Sequence, residues 1–136
     1  MSPPEQISLK IEKVRGYIAE LSYFRAITVS ELASDKRAMA AMERFLYLIC
    51  DSVISLAEML VAARGFEHAE SYGENADILL SHGEITAEES EALHRITGLR
   101  NVLSHDYEKL NLEILKNVVD KKLSEIEGIV NTFSKK

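Results

Sequence analysis

Residues 35–63 carry apolar side chains at helical spacing, with no glycine or proline to interrupt them. The main apolar stripe repeats every three or four residues and contains Met39, Met42, Phe45, Leu46, Ile49, Val53, Leu56 and Leu60. Further apolar residues fall outside this stripe, namely Tyr47, Leu48, Ile54 and Met59. A helix that is apolar around most of its circumference is buried on more than one side. The pattern therefore predicts a long helix over Asp35–Ala63 that is either the centre of the fold or part of a subunit interface, and Gly65 is placed to end it.

The rest of the chain also favours helices. Its only prolines are Pro3 and Pro4, its glycines are few and isolated, and no long stretch alternates apolar with polar residues. Capping-box spacing occurs at Thr28–Glu31 and Thr86–Glu89. We expect further helices over about 5–26, over 72–81, from Thr86 into residues 100–107, and from an Asn111 N-cap onward. The predicted fold is all-α, a single helical bundle of about five helices spanning 1–136.

Composition limits the class of protein. A chain of 136 residues is a normal length for one domain. It starts without the basic and apolar regions of a secretory signal, and we expected no apolar run near the roughly 20 residues that cross a bilayer. The single cysteine, Cys50, cannot form an internal disulfide. A cytoplasmic protein with no membrane contact is the resulting expectation.

The charge balance is acidic, with a formal net charge of -6. Broad, nonspecific nucleic-acid binding relies on a basic face that neutralises phosphates, so this charge disfavours it. A narrow basic cleft that holds one phosphate remains compatible with the composition.

One segment, Arg100–Tyr107, combines side chains suited to phosphate-ester chemistry. Histidine moves protons near neutral pH, and the planar arginine fork fits phosphate oxygens. In a continuous helix, positions five apart lie about 140° apart around the axis. Arg100 and His105 therefore point the same way only if the helix is distorted; otherwise a second chain completes the site, as in a two-fold dimer.

The residues Arg100, His105 and Tyr107 fit an Arg-x4-His-x-Tyr motif, and with it the sequence resembles HepT-like proteins of the HEPN superfamily. Asp51 falls where that family often has glutamate. The resemblance covers nearly the whole chain and extends to Glu43-Arg44-Phe45-Leu46, Ser71-Tyr72-Gly73 and Gly98-Leu99-Arg100-Asn101-Val102-Leu103.

The resemblance implies a two-fold homodimer with a metal-independent, cofactor-free ribonuclease site in the cleft between protomers. Its RNA-cleaving residues would be Arg100 and His105, with Asn101, Asp51 and Arg44 in support. It also implies a toxin whose antitoxin is a minimal nucleotidyltransferase of the MntA type, which attaches AMP to the motif tyrosine, here Tyr107.

Each residue also has an ordinary structural interpretation. Alternatively, His105 is a helix-capping or solvated histidine, Arg100 a helix-end arginine, and Asn101 a C-cap. The alternative for Tyr107 is a tyrosine packed on the last helix. Arg44 and Asp51, seven apart on one helix face, form either one wall of the cleft or a polar pair at an interface. We interpret the remaining histidines as surface residues, namely His68, His82 and His94.

A second interpretation gives the chain a binding function instead of an enzymatic one. In this interpretation the chain is a noncatalytic helical binding partner of a minimal nucleotidyltransferase. The net charge of -6 favours this alternative slightly, because an RNA-cleaving enzyme gains from positive steering. The presence of Arg100, His105 and Tyr107 together favours the enzyme.

Overall fold

The computed structural model describes residues 1–105 and 111–136, and it shows a helical bundle. Asp106 and Tyr107 lie outside the described residues, as does the side chain of His105. The helices are α1 (Pro3–Ser22), continued by a 3₁₀ turn (Tyr23–Ala26), α2 (Val29–Ser34), α3 (Lys36–Ala63), α4 (Tyr72–Ser81), α5 (Ala87–His105), α6 (Leu112–Asn117), a π-helical turn (Val118–Lys122) and α7 (Leu123–Ser134). The predicted all-α fold is confirmed.

The long helix α3 is the centre of the bundle. It packs against α1, α4, α5 and α7, and its buried side chains include Met42, Leu46, Ile49, Val53, Leu56 and Leu60. Among the described residues, α3 is also the one helix that is long and apolar enough to cross a membrane, judged by length and composition alone. This corrects the expectation that no apolar run approaches that length. More than half of its most apolar stretch is buried inside the bundle, so the core accounts for its apolar character.

The helix boundaries follow the capping residues in the sequence. Thr28 and Glu31 form the predicted capping box, with the Glu31 N–H donating to Thr28 Oγ1 at 3.1 Å. Asp35 Oδ1 accepts hydrogen bonds from the first N–H groups of α3. After α3, Gly65 adopts a left-handed φ of 69°, and the Phe66 N–H donates to the Val61 carbonyl at 3.1 Å. This pattern is the Schellman ending that the glycine predicted.

Two elements differ from the prediction of about five helices. The short helix α2 follows the Thr28 cap, and a π-helical turn separates α6 from α7. Leu115, Val119 and Leu123 are buried and spaced four apart, so one apolar face continues into the core through the π-helical turn. Lys116 is also buried at this point, and its ammonium donates to the Arg25 carbonyl at 3.2 Å and to Asp120 at 2.6 Å.

Candidate active site

Arg100, on α5, is held between groups from three helices. Its guanidinium carbon lies 5.7 Å from the ring centroid of Tyr47 and 5.5 Å from that of Tyr72. Its Nε donates to Asp51 Oδ1 at 3.4 Å, and its Nη1 donates to Asn101 Oδ1 at 3.5 Å. The side chain is only 18% exposed. Aromatic faces and a carboxylate thus fix the orientation of a partly desolvated cation.

The α3 side of this cluster comes from residues at helical spacing. Arg44, Tyr47 and Asp51 are separated by three and four residues, which places them on one face of the helix. The Arg44 guanidinium carbon lies 5.4 Å from the Tyr47 centroid, so both arginines contact the same ring. The structure therefore brings together four of the predicted site residues: Arg100, Asn101, Asp51 and Arg44.

Tyr72 reaches Arg100 because the first turn of α4 docks closely on α5. Ser71 caps α4 by accepting from the Glu74 N–H at 3.2 Å. At Gly73 a Cβ would lie 3.3 Å from His94 Nδ1, so a side chain there would require the His94 ring to shift by a few tenths of an ångström. Tyr72, the first residue of α4, is 48% exposed beside the guanidinium.

Helix α5 is a continuous α-helix from Ala87 to His105. No distortion of the backbone between Arg100 and His105 brings the two positions to one side, and they stay about 140° apart around the axis. The helix distortion that the sequence left open is therefore absent between these two positions.

A cleft of about 780 Å³ begins at Tyr72 and Asn101. Its walls come from α3, from the connection between α3 and α4, from the first turn of α4 and from the facing side of α5. Glu58 and Glu70 line it together with Asn75 and Thr97. A volume of this size is typical of small-molecule and nucleotide sites.

Other reactive groups lie away from the cluster or are unreactive. The histidines interpreted as surface residues are indeed exposed (His68, His82 and His94). His82 stacks on Phe66, and its hydrogen bond to Glu67 lowers the pKa of that carboxylate.

Burial raises the pKa of the Cys50 thiol to about 12, so this thiol is not a nucleophile at neutral pH. Within residues 1–105 and 111–136, no group of three or more histidine, cysteine or acidic side chains is arranged to hold a metal ion.

The two tyrosines on Arg100 were not predicted as site residues. Tyr47 carried a usable signal, because it lies three residues after Arg44 and four before Asp51 on the same helix face. Tyr72 appeared only as part of a motif, and its contact with Arg100 depends on how α4 docks against α5.

A family model described as Ribonuclease HepT-like matches residues 10–133. The chain belongs to this family. A HepT-like relative, the mRNA nuclease HepT of Shewanella oneidensis, is 29% identical over 84 residues, which are 62% of this chain and 63% of the relative. The chain thus matches somewhat less than two thirds of that curated relative.

Solved structures of HepT-like toxins share the fold. A tri-AMPylated HEPN toxin of Shewanella oneidensis, in complex with its MNT antitoxin, superposes with a TM-score of 0.87 over 100% of both chains at 24% identity. A mutant MntA–HpeT toxin–antitoxin complex gives a TM-score of 0.84 at 25% identity, covering 96% of this chain and 98% of that chain. Agreement over whole chains at such low identity establishes the HEPN bundle as the fold of this HepT-like chain.

Proposed function

We propose that this chain is the ribonuclease toxin of a HepT/MntA-type toxin–antitoxin pair, and that it acts in the cytoplasm as a homodimer. The observation that carries the proposal is the environment of Arg100. A HepT-like chain holds this guanidinium with Asp51 and two aromatic rings, five residues before His105 on the same helix. An arginine packed only to stabilise a helix end does not need such a setting.

The proposed reaction cleaves RNA without a metal ion or cofactor. One His105 removes the proton of a ribose 2'-hydroxyl, and the 2'-oxygen attacks the adjacent phosphorus. The bond from phosphorus to the 5'-oxygen breaks, and that oxygen takes a proton from the other His105 of the dimer. The products are a 2',3'-cyclic phosphate and a 5'-hydroxyl. Arg100 stabilises the charge that develops on the phosphoryl oxygens, with Asn101, Asp51 and Arg44 supporting it.

The geometry of α5 supports the proposed dimer. With Arg100 and His105 about 140° apart on one helix, a second copy of the chain is the simplest source of a histidine facing a given arginine. A two-fold axis beside α5 also supplies two histidines to one cleft, and the reaction needs both an acid and a base.

Control by an MntA-type nucleotidyltransferase is proposed through Tyr107. The phenol oxygen attacks the α-phosphate of ATP, pyrophosphate leaves, and AMP remains attached to the tyrosine. An attached nucleotide two residues from His105 blocks the RNA path. The family supports this step, since a structurally similar toxin is tri-AMPylated in complex with its antitoxin.

The experiment that tests the function expresses the chain alone, beside a His105→Ala version, in a bacterial host. We expect growth arrest and new RNA ends with the parent and neither with the variant. Purified protein should cut RNA in the presence of EDTA, which tests the absence of a metal requirement. Co-expression with a nucleotidyltransferase should add the mass of AMP, and Tyr107→Phe should prevent it.

The opposite outcome is informative as well. If both chains are harmless and the RNA stays intact, the catalytic proposal is wrong. The acidic charge of the chain then favours the noncatalytic binding partner of a nucleotidyltransferase.

A further inference from the structure

The cleft beside Tyr72 has a chemistry different from that of the arginine cluster. Among the described residues, its lining contains no lysine or arginine but does contain the carboxylates of Glu58 and Glu70. Such walls repel a phosphate. They accept hydrogen bonds from neutral donors such as the amino groups of nucleobases, much as carboxylates accept from the cytosine N4 amino group.

Tyr72 joins the cleft to the cluster. It contacts the Arg100 guanidinium and also lines the cleft, and it is 48% exposed. Single-stranded RNA is commonly read by splayed bases that stack on aromatic side chains while the backbone is held by cations. Asn101 lies at the same junction, since it contacts Arg100 and lines the cleft.

We infer that this cleft is a nucleobase subsite, which receives a base next to the phosphate held by Arg100. The base stacks on Tyr72 and turns its hydrogen-bonding edge toward Glu58 and Glu70. Because the carboxylates only accept hydrogen bonds, they favour bases with an exocyclic amino group (adenine, cytosine and guanine) over uracil, whose single donor, N3–H, lies between two carbonyl oxygens that the carboxylates repel. This inference rests on the proposed ribonuclease function and assigns a sequence preference to it.

The chain offers a matched pair of variants. Tyr72→Leu removes an aromatic ring from both Arg100 and the cleft, whereas Tyr47→Leu removes one from Arg100 and Arg44 and leaves the cleft intact, since Tyr47 does not line the cleft. Both changes should slow cleavage. Only Tyr72→Leu should change which bases flank the cut, and Tyr72→Phe should keep the parental preference.

The measurement is sequencing of the ends produced from a pool of single-stranded RNA with random bases. The protein is made without a nucleotidyltransferase, so that no nucleotide is attached to it. We expect the parent to avoid uracil on one side of the cut by about tenfold, the scale of one net hydrogen bond. Tyr72→Leu should lose this discrimination, and Glu58→Gln, which adds a donor, should weaken it. Identical base preferences in the parent, Tyr72→Leu and Tyr47→Leu would overturn the inference.

A binding experiment separates this inference from the function itself. Tyrosine carrying a fluorine label is followed by NMR while AMP, CMP, GMP or UMP is added to the full chain. The Tyr72 signal, assigned with Tyr72→Phe, should shift with the first three and respond least to UMP. If RNA is cut but no nucleotide moves this signal, the subsite is wrong and the function stands. If nucleotides bind but RNA stays intact, the subsite stands and the function fails.

Discussion

In the proposed mechanism, Arg100 is a permanent cation prepared for a phosphate. A guanidinium in water is mobile and well hydrated, and it would lose both properties on binding a transition state. Here Tyr47, Tyr72 and Asp51 hold it, and most of its side chain is already removed from solvent. Much of the free-energy cost of ordering and desolvating this guanidinium is therefore met during folding, which is the general advantage of a preorganised electrostatic site.

The residue-scale prediction is that Arg100→Lys lowers RNA cleavage by about 100-fold or more, the usual effect of losing one transition-state donor group. Lysine keeps the charge but lacks the planar fork that stacks on both rings while it donates to Asp51. The rate is measured under single-turnover conditions, with circular dichroism to confirm the fold.

Arg95→Lys provides the control on the same helix. Arg95 pairs with Glu125 at the surface, where its side chain is 57% exposed, so this variant should cleave RNA at the parental rate. Equal activity of Arg100→Lys and Arg95→Lys would contradict a transition-state role for the Arg100 guanidinium.

Among the helices, the start of α5 depends on a carboxylate with an altered pKa. Glu89 is partly buried, which by itself raises its pKa, but hydrogen bonds from Thr132 and Thr86 outweigh burial and lower the pKa below its ordinary value of 4.5. These bonds tie the first turn of α5 to α7, because Thr132 lies on α7.

The element-scale prediction concerns stability against pH. A carboxylate whose pKa is lower in the folded state contributes stability above its unfolded pKa, and this contribution is lost as pH falls through the folded pKa. Glu89→Gln should therefore destabilise the fold at neutral pH, by less than the cost of about 1 kcal/mol that is typical of losing an N-cap residue, because glutamine still accepts hydrogen bonds at this capping-box position. The difference from the parent should shrink between pH 5 and the acid range. Thermal unfolding across pH measures this, and the exposed neighbour variant Glu88→Gln should follow the parent at every pH.

Local sequence signals were sufficient for most helices and insufficient for the contacts of the site. The ends of α3 and α4 follow from Asp35, Gly65 and Ser71, since caps act within a few residues. The π-helical turn after α6 has no comparable local signal. The contact between Arg100 and Asp51 joins residues 49 apart in the chain, and Tyr72 reaches Arg100 only through the docking of α4. Such contacts depend on tertiary packing, which periodicity does not encode.

The whole molecule sets an electrostatic problem for an RNA-cleaving enzyme. Sixteen lysines and arginines face twenty-two acidic residues, so the chain as a whole repels a polyanion. Within one protomer, Arg44 and Arg100 form a local exception on the ring of Tyr47. In the proposed dimer, a two-fold axis near this cluster brings Arg44 and Arg100 of both protomers close together, while the net charge of the remaining surface stays negative.

The same symmetry predicts that one defective copy inactivates the shared site. If the cleft needs the His105 of both protomers, one as base and one as acid, a heterodimer of a parental and a His105→Ala chain holds only one of them and should not cleave RNA. A freely exchanged equal mixture, half heterodimer, should therefore retain roughly a quarter of the parental cleavage, which is the share of parental homodimers. Native mass spectrometry confirms that heterodimers have formed. If they form and the mixture keeps half of the parental cleavage, each site works with a single His105, and the acid–base pair of the proposed reaction is wrong.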